Sequence, residues 1–250
     1  AGQLSLAGPL DALELTLQAK RAPDEHLALA MTGALALDPP RWRGRLVSGE
    51  WRRGDTSRMR LGDPAEVELA ADAARIARQC WQGEGTLCLS AQYDPAGTWA
   101  AAIDSDTLLL EALPRLVDWQ RGALSGALAV RGRGSLLAEA NGQLALAPTA
   151  WHFEDDERPP VGHRGIALRL ATSAQGLSLE LDGGLDRPAV LDARATLALP
   201  AGPWDLAAPG SLPLRGHLEA SAPALAPWAA YSDEVAELAG TGSLDLTLGG

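Results

Sequence analysis

The chain has 250 residues, a formal net charge of −11 and a pI near 4.8, which argues against nucleic acid or an anionic membrane surface as a partner, since both call for clustered positive charge. Aromatic residues make up 4%, with Phe153 the lone phenylalanine, less ring volume than two packed sheets place between them. An open surface of leucine and alanine is the expectation. The length suits one large or two small domains. With no initiator Met, no signal peptide and no apolar run near eighteen residues, the chain reads as a soluble piece of a longer protein whose membrane anchor lies elsewhere.

Taken in order, the sequence alternates with period two almost throughout. Leu13, Leu15 and Leu17 alternate with polar neighbours, followed by Leu27, Leu29 and Met31, then Leu35 and Leu37. Each run describes a strand with one wet and one apolar face. Pro23-Asp24, Gly33 and Asp38-Pro39-Pro40 supply the turn chemistry between them. From Arg41 to Arg60 seven arginines face only Glu50 and Asp55; Arg41, Arg43 and Arg45 share a strand face opposite Trp42, Gly44 and Leu46, and the patch reads as a solvated outer face. Residues 64–79 are helix by propensity alone.

Cys80 and Cys88 stand symmetrically about Glu84 in a Gly83-Glu84-Gly85 turn, whose glycines tolerate the positive φ of a tight hairpin. The two cysteines therefore face each other, as a disulfide or as two thiols. Their hairpin placement favours the bond and an oxidising compartment. Next come a turn at residues 93–97, a Gly97-Thr98-Trp99 strand start, a short helical stretch from Leu113 to Trp119, and the strand GALSGALAVRG from Gly122 to Gly132.

Alternation then resumes with Leu144 and Leu146, Ile166, Leu168 and Leu170, Leu177, Leu179 and Leu181, and Leu197 and Leu199. Ser178, Glu180, Asp182, Arg194 and Thr196 fall on the wet side. Residues 200–213 read as a linker or a crossing loop, Pro223 to Leu238 has helical content, and Leu244, Leu246 and Leu248 end the pattern. The helix-then-strand order of residues 108–134 returns at 222–250, an internal repeat.

The paired-cysteine hairpin, the G-x-W strand, the leucine-rich helix and the L-x-G-x-L-x-x-x-G strand together resemble the TamB family, within the AsmA-like superfamily. The resemblance is most specific over residues 79–134 and carries no functional side chains beyond Cys80 and Cys88. It implies a strand rather than a helix for residues 64–79. It also implies a periplasmic bridge fixed to the inner membrane by an N-terminal anchor outside this chain. That bridge moves phospholipid outward and assists outer-membrane protein and autotransporter assembly with a TamA-like outer-membrane protein.

The chain carries no recognisable pattern for reaction chemistry. The serine in Gly122 to Gly126 is one place too late for a nucleophile elbow, and Gly132-Arg133-Gly134 lacks the rest of a dinucleotide fingerprint. His26, His152, His163 and His217 have no ligand spacing, and the carboxylates from Glu154 to Glu157 lack the spacing of a calcium loop. We expect no enzyme, no cofactor and no metal.

The fold expected is all-β: one continuous, curled, mostly antiparallel sheet of roughly twenty short strands with one or two short helices. Periodicity alone does not separate this from a sandwich; the TamB resemblance implies that the leucines named above, with Ile166, line an open, taco-like apolar groove, near 90 Å long at ~4.8 Å per strand. A β-sandwich or β-solenoid binding module of a secreted protein, an adhesin or carbohydrate binder, is the alternative; Asn141 is the one asparagine, which disfavours solenoid amide ladders.

Overall fold

The computed structural model describes residues 1–54, 57–113, 122–151, 160–231 and 237–249. The described residues form one antiparallel sheet of eighteen strands. These are β1 (Gly2–Ala7), β2 (Leu13–Lys20), β3 (Glu25–Leu37), β4 (Pro40–Arg53), β5 (Ser57–Leu61), β6 (Ala65–Ala70), β7 (Ala74–Gly83), β8 (Gly85–Tyr93) and β9 (Thr98–Leu109). The second half adds β10 (Ala123–Arg133), β11 (Leu136–Leu146), β12 (Thr149–Trp151), β13 (Val161–Ser173), β14 (Gly176–Arg187), β15 (Leu191–Pro200), β16 (Trp204–Asp205), β17 (Arg215–Ala222) and β18 (Gly242–Leu248). Helical turns among the described residues are 3-10 turns at Leu110–Ala112, Pro209–Ser211 and Ala226–Tyr231.

The chain is a meander in which sequence neighbours are sheet neighbours. Three positions are shared, one of them by β13 and β16, which both pair with the same edge of β11. β5 and β6 both lie between β4 and β7, separated by the break at Gly62-Asp63-Pro64. β11 and β12 both pair with β13, separated at Ala147-Pro148, where proline withholds a ladder donor. This leaves fewer positions than expected, because the strands run longer: β3 has 13 residues and β4 has 14. At ~4.8 Å per position the sheet spans about 67 Å along its hydrogen-bonding direction, shorter than the sequence suggested.

Residues 64–79 contribute to β6 and β7. The ladders on both sides satisfy their backbone groups and outweigh helix propensities of a few tenths of a kcal/mol per residue. Residues 200–213 are a docked crossing rather than a free linker: β16 pairs with the start of β11, and Trp204 is buried while its indole N–H donates to the Pro200 carbonyl at 2.8 Å. Of the predicted helix from Leu113 to Trp119, residues 114–119 lie outside the described residues. So do residues 232–236 of the second one.

One residue out of register lets β4 serve a single face. Leu46 opposes Met31 and Ser48 opposes Ala30, so Val47 is the extra residue of a bulge. Trp42, Gly44 and Leu46 before it and Gly49, Trp51 and Arg53 after it then share the apolar side. Tryptophan rings lie along this surface over glycines. A Cβ on Gly33 would come within 2.8 Å of Trp42 Cζ2, one on Gly49 within 2.9 Å of Trp81 Cζ3, and one on Gly132 within 2.7 Å of Trp99 Cε2. Each glycine in effect makes room for a ring, and the ring covers backbone that the glycine leaves bare.

The apolar face is closed at one end. Met59, Leu108 and Ala112 are fully enclosed there, with Trp51, Trp81, Leu87 and Leu113 packed around them. The 3-10 turn is held down by Arg53, whose guanidinium donates to the carbonyls of Glu111 at 3.1 Å and Leu113 at 3.4 Å. Arg53 also faces the buried Glu25 carboxylate at 4.0 Å. Arg53 thus departs from the solvated face expected of its neighbours. Arg43 meets that expectation and is exposed, while Arg41 is half-buried beside it, the two sharing Glu68. Replacing Arg41, Arg43 and Arg45 together by Gln is therefore expected to lower thermal stability by no more than about 1 kcal/mol per exposed pair. Loss of the circular dichroism signal would contradict this.

Candidate functional site

Pairing register shows what each face of the sheet carries. On one side the row Leu89, Ile103, Leu128, Gly142, Leu170, Leu179, Leu197, Gly216 and Leu248 runs unbroken from β8 to β18. Parallel to it run Leu144, Leu168, Leu181, Ala195, Leu218 and Leu246, and then Leu124, Leu146, Ile166, Gly183, Ala193, Ala220 and Leu244. In the first half, Leu4, Leu17 and Leu29 form one row, and Leu6, Leu15, Met31, Leu46 and Ala65 another. Because side chains alternate strictly along a strand, these rows merge into one apolar surface.

All the leucines expected to line the groove, with Ile166, fall on this surface, and none is buried. Leu13, Leu15, Leu17, Leu27, Leu29, Leu35, Leu144, Leu146, Ile166, Leu168, Leu170, Leu177, Leu179, Leu197 and Leu199 are half-buried by their neighbours; Leu37, Leu181, Leu244, Leu246 and Leu248 are exposed. Sequence reasoning missed Leu89, Ile103 and Leu128, which lie on strands next to register shifts at Ile76/Gln79 and Leu124/Gly126, and also Leu218, the lone leucine of β17. The enclosed core is small: Trp42, Leu46 and Val67 form one cluster and the capped end another. The accessible surface of the chain is 15163 Å², against roughly 10,600 Å² for a compact monomer of the same mass. No described strand layer covers the apolar side.

The opposite face is polar and laced with cross-strand ion pairs. Arg194 donates Nε and Nη2 to Asp182 Oδ2 at 2.9 and 2.8 Å, Arg78 donates to Asp104 at 3.2 Å, and Arg169 stands 3.9 Å from Glu180. Cys80 and Cys88 pair across β7 and β8 on this side, in register with Asp104, as a disulfide with Cα atoms 4.0 Å apart. Gly85 takes φ +99° in the turn between them. The bond lies outside the apolar surface and ties one hairpin. Intact mass is expected to show no alkylatable thiol until reductant is added, and reduction should cost about 2.5 kcal/mol by loop entropy. Two free thiols in oxidised, exported protein would overturn the assignment.

His217 also stands on the polar face. Its imidazole is hydrogen-bonded to Glu219 at 2.9 Å and lies 3.7 Å from Asp245. The Glu219 bond holds the ring's pKa above its ordinary value, outweighing the opposing effect of burial, and the Asp245 charge adds to the rise. A folded-state pKa raised in this way adds stability below the unfolded value near 6.5, and that stability is lost as pH rises through the folded value. The melting difference between wild type and His217→Gln is accordingly expected in mild acid and should vanish in alkali. A difference that grows with pH would contradict it.

His26 and His163 stand apart from this group. His152 and the carboxylates from Glu154 to Glu157 lie outside the described residues. What the described residues bring together on a large scale is an uncovered apolar face backed by a charged one, with no convergent polar site on the apolar side. Comparison with protein-family models, curated proteins and solved structures finds no match to this chain.

Proposed function

We propose that the chain is a non-enzymatic, TamB-like segment of a periplasmic bridge that carries phospholipid acyl chains on its apolar face. The observation that carries this reading is the set of contiguous apolar rows that no described strand layer covers. A soluble monomer rarely leaves contiguous apolar area of this extent in water, and an acyl chain laid along the leucine rows would gain ~0.8 kcal/mol per methylene removed from water. The rows repeat across the sheet with little variation, so a bound chain meets similar surface at each step and can slide. A hairpin disulfide suits an oxidising compartment such as the periplasm. In this reading the TamA-like outer-membrane partner and the inner-membrane anchor engage other parts of a longer protein.

A compact sandwich needs two facing sheets, and a solenoid needs parallel coils. The single antiparallel meander supports neither. A second cargo is favoured by one observation: β1 and β18 are the sheet's outer strands, with Leu4, Leu6, Leu244, Leu246 and Leu248 exposed along them. An unfolded outer-membrane β-strand could extend such an edge. Native mass spectrometry of the purified chain tests the lipid reading. Phospholipid adducts that survive transfer to the gas phase are expected. A bare mass from protein purified without detergent, and no adduct after incubation with phospholipid, would refute it.

A further inference from the structure

We propose that His217, Glu219 and Asp245 form a binding site for a borderline divalent metal of the Zn2+ class, placed on the polar face where it joins β17 to the outer strand β18. No spacing in the sequence announces this site. It arises because His217 and Glu219 are two residues apart on one strand and so share a face, while β18 pairs antiparallel with Thr247 opposite His217 and Asp245 opposite Glu219. One ligand atom from each of the three residues lies within 4.8 Å of the others. Two ligands on a tetrahedral zinc stand about 3.4 Å apart, given bond lengths near 2.0–2.1 Å, so side-chain rotation alone closes the set. The backbone positions are already fixed by the ladder.

The surrounding charges leave the ligands available. Arg194, the nearest cation to Glu219 in the neighbouring strand, directs both Nε and Nη2 to Asp182. Thr247 Oγ1 lies 3.4 Å from His217 Nδ1 and can orient the ring with Nε2, the nitrogen that faces Glu219, as the metal ligand, as outer partners of metal-bound histidines do. The donor set selects among ions. An imidazole with two carboxylates suits zinc, and copper more strongly, whereas calcium and magnesium take oxygen ligands and gain nothing from the ring. Three protein ligands leave further positions to water. Since the ligands come from two strands, metal would clip the edge strand to the sheet.

Titration calorimetry of the whole chain with zinc chloride, in a buffer that does not chelate, tests the site. One equivalent is expected to bind, with affinity reduced at least tenfold in each of His217→Ala, Glu219→Gln and Asp245→Asn and unchanged in His26→Gln. Millimolar calcium should not compete. Zinc should also shift the His217 ring resonances selectively and raise the melting temperature of the wild type alone. Glu219 and Asp245 are exposed and His217 is only half-buried at the sheet surface, so the variants should fold. Zinc binding that survives His217→Ala, equal competition by calcium, or no binding tighter than in the triple variant would each overturn the proposal.

Discussion

Replacing Leu179 by Glu is expected to leave the protein folded and to strip it of lipid. Leu179 sits in the middle of β14, between Leu170 and Leu197, half-buried and facing the apolar side. In a closed core the new carboxylate would be buried without a partner at a cost of several kcal/mol, enough to unfold a domain of ordinary stability. On an uncovered face it reaches water once cargo departs, so the melting temperature should fall by only a few degrees. Its charge, however, stands where an acyl chain has to lie. Native mass spectrometry should then show the phospholipid adducts largely gone. Glu180→Ala, one residue along and on the polar face, should change neither readout. Cooperative unfolding of Leu179→Glu would place a second layer over these leucines.

Truncation of Leu108 should have the opposite character: a large loss of stability. Leu108 has no exposed surface and packs with Met59 and Ala112 beneath the 3-10 turn that Arg53 anchors. Leu108→Ala removes buried methyl groups and leaves a cavity that surrounding strands cannot fill, a change that costs about 2–5 kcal/mol. The same substitution at Leu179 should cost less, about 1–2 kcal/mol, because a side chain with part of its surface already in water has less transfer free energy to lose and leaves no enclosed cavity. Chemical denaturation of the two variants side by side measures the contrast. Equal losses would mean that both leucines occupy closed cores and that the apolar face is not open.

The strand pattern was legible wherever alternation ran without interruption, as from Leu13 to Leu37 and from Ile166 to Leu199, since period two fixes both element and face. Residues 64–79 needed more than local preference. Their alanine, glutamate and arginine content reads as helix, and partner strands on both sides decide against it. Lengths and breaks were hidden too: the extra residue at Val47 and the interruptions at Gly62-Asp63-Pro64 and Ala147-Pro148 are features of pairing, set by strands distant in sequence. Arg53 looked like one more solvated arginine because its role depends on that bulge, which turns it to the apolar side, and on a turn nearly sixty residues on. For the same reason the His217 group was invisible, its third member lying across a strand pair. The leucines of the apolar face were recognisable individually. That nothing covers them is a property of the whole sheet, which no single strand reveals.

Cargo contact with one face of one sheet is the central claim, and a photocrosslinking scan along β14 and β15 tests it most directly. A photoreactive residue is placed in turn at Leu177, Leu179, Leu197 and Leu199, and at Ser178, Glu180, Thr196 and Ala198 on the opposite face, in protein expressed for export to the periplasm. Phospholipid crosslinks are expected from the first four positions and not from the second four, an alternation that follows the pleat. Crosslinks of equal yield from both faces, or none from any of the leucine positions in folded protein, would contradict it.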